Sequence, residues 1–126
     1  TTLFRSIESP ANAQYSATDL EYQLKNSSAK CLFTCAPVLD KALEAADKVG
    51  IPRSRVYLME LPEAVAESAR APGLKTVAQL VEQGKTQAAL EPLRWSKGEG
   101  KRRTAFLCYS SGTSGLPVSN LTSNTT

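Results

Sequence analysis

Apolar and polar positions alternate along this chain in two distinct rhythms. Ala17, Leu20 and Leu24 share one helical face, and Ser16 stands where an N-cap oxygen would meet the backbone of Asp19, which can reach back in capping-box fashion. Asn26-Ser27-Ser28 ends that helix. Lys30 to Cys35 is short and apolar and reads as a buried strand. Leu39, Ala42, Leu43, Ala46 and Val49 form a second stripe at helical spacing, with Asp40, Lys41, Glu44, Asp47 and Lys48 mostly opposite. Pro37 suits the first turn of this helix, and Gly50 followed by Pro52 is a stop signal. Val56 to Met59 reads as a second strand. Pro62 and Pro72 bracket a segment in which Glu63 to Arg70 is expected to be a short helix. Thr76 caps a third helix, with Val77, Leu80 and Val81 facing inward and Gly84 ending it. Gln87 to Gly100 is irregular and polar, with Trp95 as its one large apolar anchor. Thr104 to Tyr109 is a continuous apolar run suited to the middle of a sheet. Ser9-Pro10-Ala11-Asn12 reads as a turn, and the Thr- and Ser-rich residues after Pro117 read as a frayed tail.

The order helix, strand, helix, strand, helix, strand predicts an α/β fold: a partial doubly wound, mostly parallel sheet with crossover helices. Such sheets hold ligands beyond the carboxyl ends of their strands, which directs attention to the loop after Tyr109.

With 126 residues the chain is expected to form one domain. The net charge of +3 is too small to argue for nucleic acid. Lys97, Lys101, Arg102 and Arg103 form one basic cluster, read as a solvated loop because such runs are usually wet surface. Aromatic residues do not interleave with it, so no base-stacking platform is expected. No apolar run approaches a membrane span, and neither nucleic acid nor membrane is expected as a partner. Cys31, Cys35 and Cys108 are odd in number and, with the first and last inside apolar runs, are expected to be buried reduced thiols. That suits the cytoplasm or another intracellular compartment. The chain has no histidine, and Cys31 to Cys35 is not a CxxC pair, so no metal site is expected. The sequons at Asn26, Asn120 and Asn124 are expected to stay unmodified, since no secretory signal opens the chain.

Candidate chemistry lies in Tyr109-Ser110-Ser111-Gly112-Thr113-Ser114-Gly115-Leu116-Pro117. Two glycines allow close backbone approach, and hydroxyls and free N–H groups can converge on an anion as a nest. Composition alone favours a flexible Ser/Gly turn over a phosphate site. The string is not a Walker loop, because no lysine follows Gly115. It closely resembles the phosphate-binding loop of the adenylate-forming superfamily, which includes acyl-CoA synthetases, 4-coumarate–CoA ligase-like enzymes, luciferases and peptide-synthetase adenylation domains. Ser9-Pro10-Ala11-Asn12-Ala13-Gln14-Tyr15, Asp19-Leu20, Gln23-Leu24-Lys25 and Ser28-Ala29-Lys30 resemble the segment leading into the next strand of the ligase-like members. Phe106-Leu107-Cys108 is similar to the fungal ones. The resemblance spans residues 9 to 117.

That resemblance implies that residues 1–117 are a partial N-terminal subdomain of an AMP-binding ligase fold, with 118–126 a flexible tail. It implies that Ser110, Ser111, Gly112, Thr113, Ser114 and Gly115 bind nucleotide phosphates, with ATP and Mg as ligands. The chain departs from the family after Pro117: Val118-Ser119 stand where the family continues with Lys-Gly. The later aromatic-Gly-x-Thr-Glu motif, the ribose-binding aspartate and the adenylating lysine have no counterpart. Three functions follow as expectations. The chain is a truncated acyl-CoA ligase-like protein that keeps the loop but lacks full adenylation activity; or a repurposed, ATP-independent small enzyme of natural-product metabolism; or a non-catalytic binding or scaffold protein. For the second, acid–base work would fall to Asp19, Glu21, Tyr15, Tyr109 or Cys108, acting on a small-molecule ligand. Exposed sheet edges and faces predict a homo-oligomer.

Overall fold

The computed structural model describes residues 6–61, 73–89, 94–110 and 118–123. They divide into two compact units, one of residues 13–88 and one combining 1–12 with 89–126.

In the first unit, α1 (Ala17–Asn26) begins as expected, with Ser16 and Asp19 closing a capping box. The Asp19 backbone N–H donates to Ser16 Oγ at 3.2 Å, and the Ser16 N–H donates to Asp19 Oδ2 at 3.1 Å. β1 (Leu32–Thr34) follows, then a 3-10 turn holding Pro37, then α2 (Leu39–Val49). Gly50 ends α2 at φ +76°, a left-handed conformation that favours glycine. β2 (Val56–Leu58), β3 (Lys75–Thr76) and α3 (Val77–Lys85) complete the unit. The three strands pair in parallel in the order β1-β2-β3, so the expected α/β architecture is present, with α2 as the crossover from β1 to β2. Residues 63–70, expected to be helical, lie outside the described residues.

Register explains the packing. Leu32 lies opposite Val56, and the next pair, Phe33 and Tyr57, points the other way. Leu24, Ala45, Ala46, Ile51 and Val56 form the buried core, with Leu20, Ala29, Leu32, Leu43, Val49 and Leu74 packed against it. Ala45 is fully buried; a small residue there lets α1 and α2 approach closely. Lys41 on α2 donates to the carbonyls of Ala13 and Tyr15, both at 3.0 Å, tying the entry of α1 to α2. Phe33 and Tyr57 stack at 5.2 Å between ring centroids on the opposite face. Lys30 to Cys35 is therefore buried on one side only, with Phe33 49% exposed. On α3, Val77 and Leu80 are half-buried, but Val81 is exposed rather than inward.

The second unit corrects the sequence reading. β4 (Thr104–Ser110) is a strand as expected, yet it does not belong to the parallel sheet. It pairs antiparallel with β5 (Val118–Ser123), so those residues of the expected flexible tail are a strand. The other edge of β4 takes a parallel bridge from Glu8, whose N–H donates to the Ala105 carbonyl at 2.9 Å and whose carbonyl accepts from Leu107 at 2.8 Å. Two neighbours on its edges hold β4 as a central strand.

Candidate functional site

The loop that carries the candidate chemistry is launched from this hairpin. Ser110 is the last residue of β4 and pairs with Val118, the first of β5. Ser111, Gly112, Thr113, Ser114 and Gly115 lie outside the described residues. The hairpin fixes where they start and end: both anchors belong to one ladder, and directly opposed antiparallel Cα atoms sit about 4.5–5.5 Å apart. The strand beneath is further tied by Ser9 Oγ, which donates to the Leu107 carbonyl at 3.3 Å.

Charge is arranged unevenly around the hairpin. No charged residue occurs from Thr104 to Thr126, whereas Arg94, Lys97, Lys101, Arg102 and Arg103 precede β4. Those cations lie at the opposite end of β4 from Ser110. β4 has seven residues, and at about 3.4 Å per residue they span roughly 20 Å. Within the basic segment Glu99 folds back on its neighbours. It accepts from the Ser96 N–H and hydroxyl, each at 3.2 Å, and from Arg103 Nε and Nη2 at 3.1 and 2.6 Å. The Arg103 hydrogen bonds, chiefly, hold the Glu99 carboxyl below its ordinary pKa. Trp95, expected as an apolar anchor, is instead 37% exposed.

The candidate acid–base residues are divided between the two units. Asp19 is engaged by Ser16, whose side-chain hydrogen bond holds its carboxyl below the ordinary value. Glu21 faces Lys48 at 3.7 Å, and Glu44 binds the same ammonium at 2.8 Å. Tyr15 is half-buried and gives its carbonyl to Lys41. Tyr109 and Cys108 are on β4, in the other unit. The cysteines also depart from expectation: Cys31 and Cys108 are exposed, Cys35 is half-buried, and all three are free thiols. Cys31 lies just before β1, and Cys108 shares the exposed side of β4 with Phe106. Among the described residues no three His, Cys, Asp or Glu side chains converge to hold a metal, and no helix is long and apolar enough to cross a membrane.

Sequence reasoning missed β3, β5 and the Glu8 bridge. Val118 and Thr122 are β-formers in a polar run, a signal too weak to separate an edge strand from a tail. Glu8 has no strand pattern at all, since a single bridge needs only two backbone hydrogen bonds.

The family model described as AMP-binding enzyme matches residues 5–118, which takes in the whole of Ser110–Gly115. An acyl-CoA ligase of the fungus Cordyceps militaris is 38% identical over 109 residues, covering 84% of this chain and 17% of its own length. An acyl-CoA ligase of Emericella nidulans is 37% identical over 93 residues, 73% of this chain and 16% of the relative. The chain thus spans about a sixth of these curated relatives. Among solved structures, a red-emitting luciferase of Phrixothrix hirtus superposes with a TM-score of 0.67 at 21% identity, over 92% of this chain and 21% of that one. A luciferase-like enzyme of the mealworm Zophobas morio gives 0.59 at 16% identity, over 90% and 24%. At those identities the likeness concerns the fold.

Proposed function

Because this chain belongs to the AMP-binding enzyme family, we propose that it carries a phosphate-binding loop at Ser110–Gly115. We propose further that, as a chain of 126 residues, it binds polyphosphate weakly and does not form acyl adenylates at a useful rate. The observation that carries this reading is the Ser110–Val118 pairing at the mouth of the β4–β5 hairpin. A loop whose ends already meet has its closure entropy met by the ladder before any ligand arrives. Within it, Gly112 and Gly115 admit close backbone approach, and Ser110, Ser111, Thr113 and Ser114 offer hydroxyl donors to phosphate oxygens.

Bound ATP with Mg2+ would supply the α-phosphate electrophile and a divalent charge for adenylyl transfer to a carboxylate, with pyrophosphate as the leaving group. The chain fits that ligand only in part. The loop's glycines and hydroxyls support a phosphate ligand, but the described residues gather no acidic set for the metal. No cation adjoins the loop in sequence either. Val118 follows Pro117 in place of the lysine of related loops, and the chain's basic residues nearest in sequence lie at the far end of β4. Losing one preorganised charge-stabilising donor commonly costs about a hundredfold or more in rate. Pyrophosphate exchange measured over a panel of aromatic and fatty acids should stay at background for the purified chain. Robust exchange would refute the reading.

A scaffold role keeps one specific support. Phe33, Met59 and Val81 are exposed apolar side chains of the 13–88 unit, and we propose that self-association covers apolar surface of this kind.

A further inference from the structure

The net charge of this protein is not spread over it. Residues 13–88 carry nine Lys or Arg and nine Asp or Glu, and are neutral; residues 1–12 with 89–126 carry six against three. The whole excess of +3 therefore belongs to the second unit. Its source is the ten residues from Arg94 to Arg103, with five cations and only Glu99 against them.

The fold removes Glu99 from that balance. Its carboxylate is occupied by Arg103 and by Ser96, so it cannot neutralise the others. Arg94, Lys97, Lys101 and Arg102 are exposed and make no ion pair among the described residues. Trp95 stands beside Arg94 at 37% exposure, and the same unit exposes Ile7 at 51% and Phe106 at 38%. Unpaired cations with an exposed tryptophan match an interface where phosphate headgroups lie above acyl chains. Lys and Arg meet the anionic layer, while an indole sits at headgroup level.

We propose that the Arg94–Arg103 segment docks this protein on an anionic phospholipid surface, with Lys97, Lys101 and Arg102 on the headgroups and Trp95 at the interface. This goes beyond the expectation of no membrane partner, which rests on the lack of a spanning run. It does not depend on the phosphate-loop reading, since the segment lies at the other end of β4. A nucleic-acid partner is less well matched, because one tryptophan offers no succession of stacking platforms.

Trp95 is the protein's single tryptophan, so its emission reports on this segment directly. The full chain should co-sediment with vesicles of phosphatidylserine and phosphatidylcholine, with a blue shift of Trp95 emission. It should leave vesicles of phosphatidylcholine alone in solution. Rising salt should release it, as expected for surface charges screened over about 8 Å at physiological ionic strength. Each headgroup-facing cation is worth about fivefold in partition, so K97A/K101A/R102A should lose roughly a hundredfold. These side chains are exposed, and far-UV circular dichroism verifies that the variant folds. Equal partition onto neutral and anionic vesicles would overturn the proposal. So would no binding at low salt, unchanged binding of the triple variant, or binding to duplex DNA in place of vesicles.

Discussion

Leu24→Ala tests the packing beneath this account most sharply. Leu24 is 7% exposed and joins α1 to a core whose other buried members are Ala45, Ala46, Ile51 and Val56. Two of those are alanines, so Leu24 is one of only three larger side chains there. Shortening it removes three carbons, about 0.8 kcal/mol each by transfer alone. The cavity left behind raises observed Leu→Ala costs to roughly 2.7–5 kcal/mol. Leu20 and Val49 are only partly buried and can relax into the space, which favours the lower end, about 3 kcal/mol. All three α-helices of the described residues lie in residues 13–88, so far-UV circular dichroism chiefly follows this unit. With a urea slope of about 1 kcal/mol per molar for a unit this small, the midpoint should fall by roughly 3 M. Thr18→Ala, at an exposed side chain of α1, is the control and should change stability by no more than about 0.5 kcal/mol. A Leu24→Ala shift as small as that of the control would refute the packing.

Ser16→Ala should lower the stability of the same unit by about 1 kcal/mol, as loss of an N-cap does. Asp19 is held below its ordinary value of 3.8, so its share of the cap is present above that pH and is lost as pH falls through the lowered value. Acid titrations followed by circular dichroism should therefore show a step in the wild type that shrinks in Ser16→Ala; identical profiles would count against the cap. Self-association predicts a light-scattering mass of at least twice 13.5 kDa, and a monomer at high concentration would dismiss it.

What could be read in the chain, and what could not, follows from the range of the forces involved. Ser16 with Asp19, Thr76 as a cap, and Gly50 are local devices whose partners lie within a few residues, and each stands where the sequence puts it; that Gln79 closes the Thr76 box is added by the structure. The α2 stripe was legible for the same reason, although Ala45 looks neutral in a pattern and is fully buried in the core cluster that Leu24 of α1 shares. Strand partnership is different. Thr104 to Tyr109 has the apolar run of a parallel central strand, but whether it joins β1 and β2 depends on residues far off in the chain. In the fold its neighbours are Glu8 and Val118–Ser123. Thiol exposure failed similarly, since an apolar run does not say which side of a strand is covered. The Ser110–Gly115 string was noticed through resemblance rather than through any force, its phosphate role is our proposal, and the structure contributes its anchors, Ser110 and Val118.

The central claim is that those anchors hold a loop that still receives phosphate, and a titration of isotope-labelled protein with ATP and with pyrophosphate tests it most directly. Amide shifts that begin at Ser110, run through Gly115 and saturate at millimolar ligand are the predicted result. Shifts confined to Lys97, Lys101 and Arg102 at the other end of β4, or none at all at millimolar ligand, would contradict it.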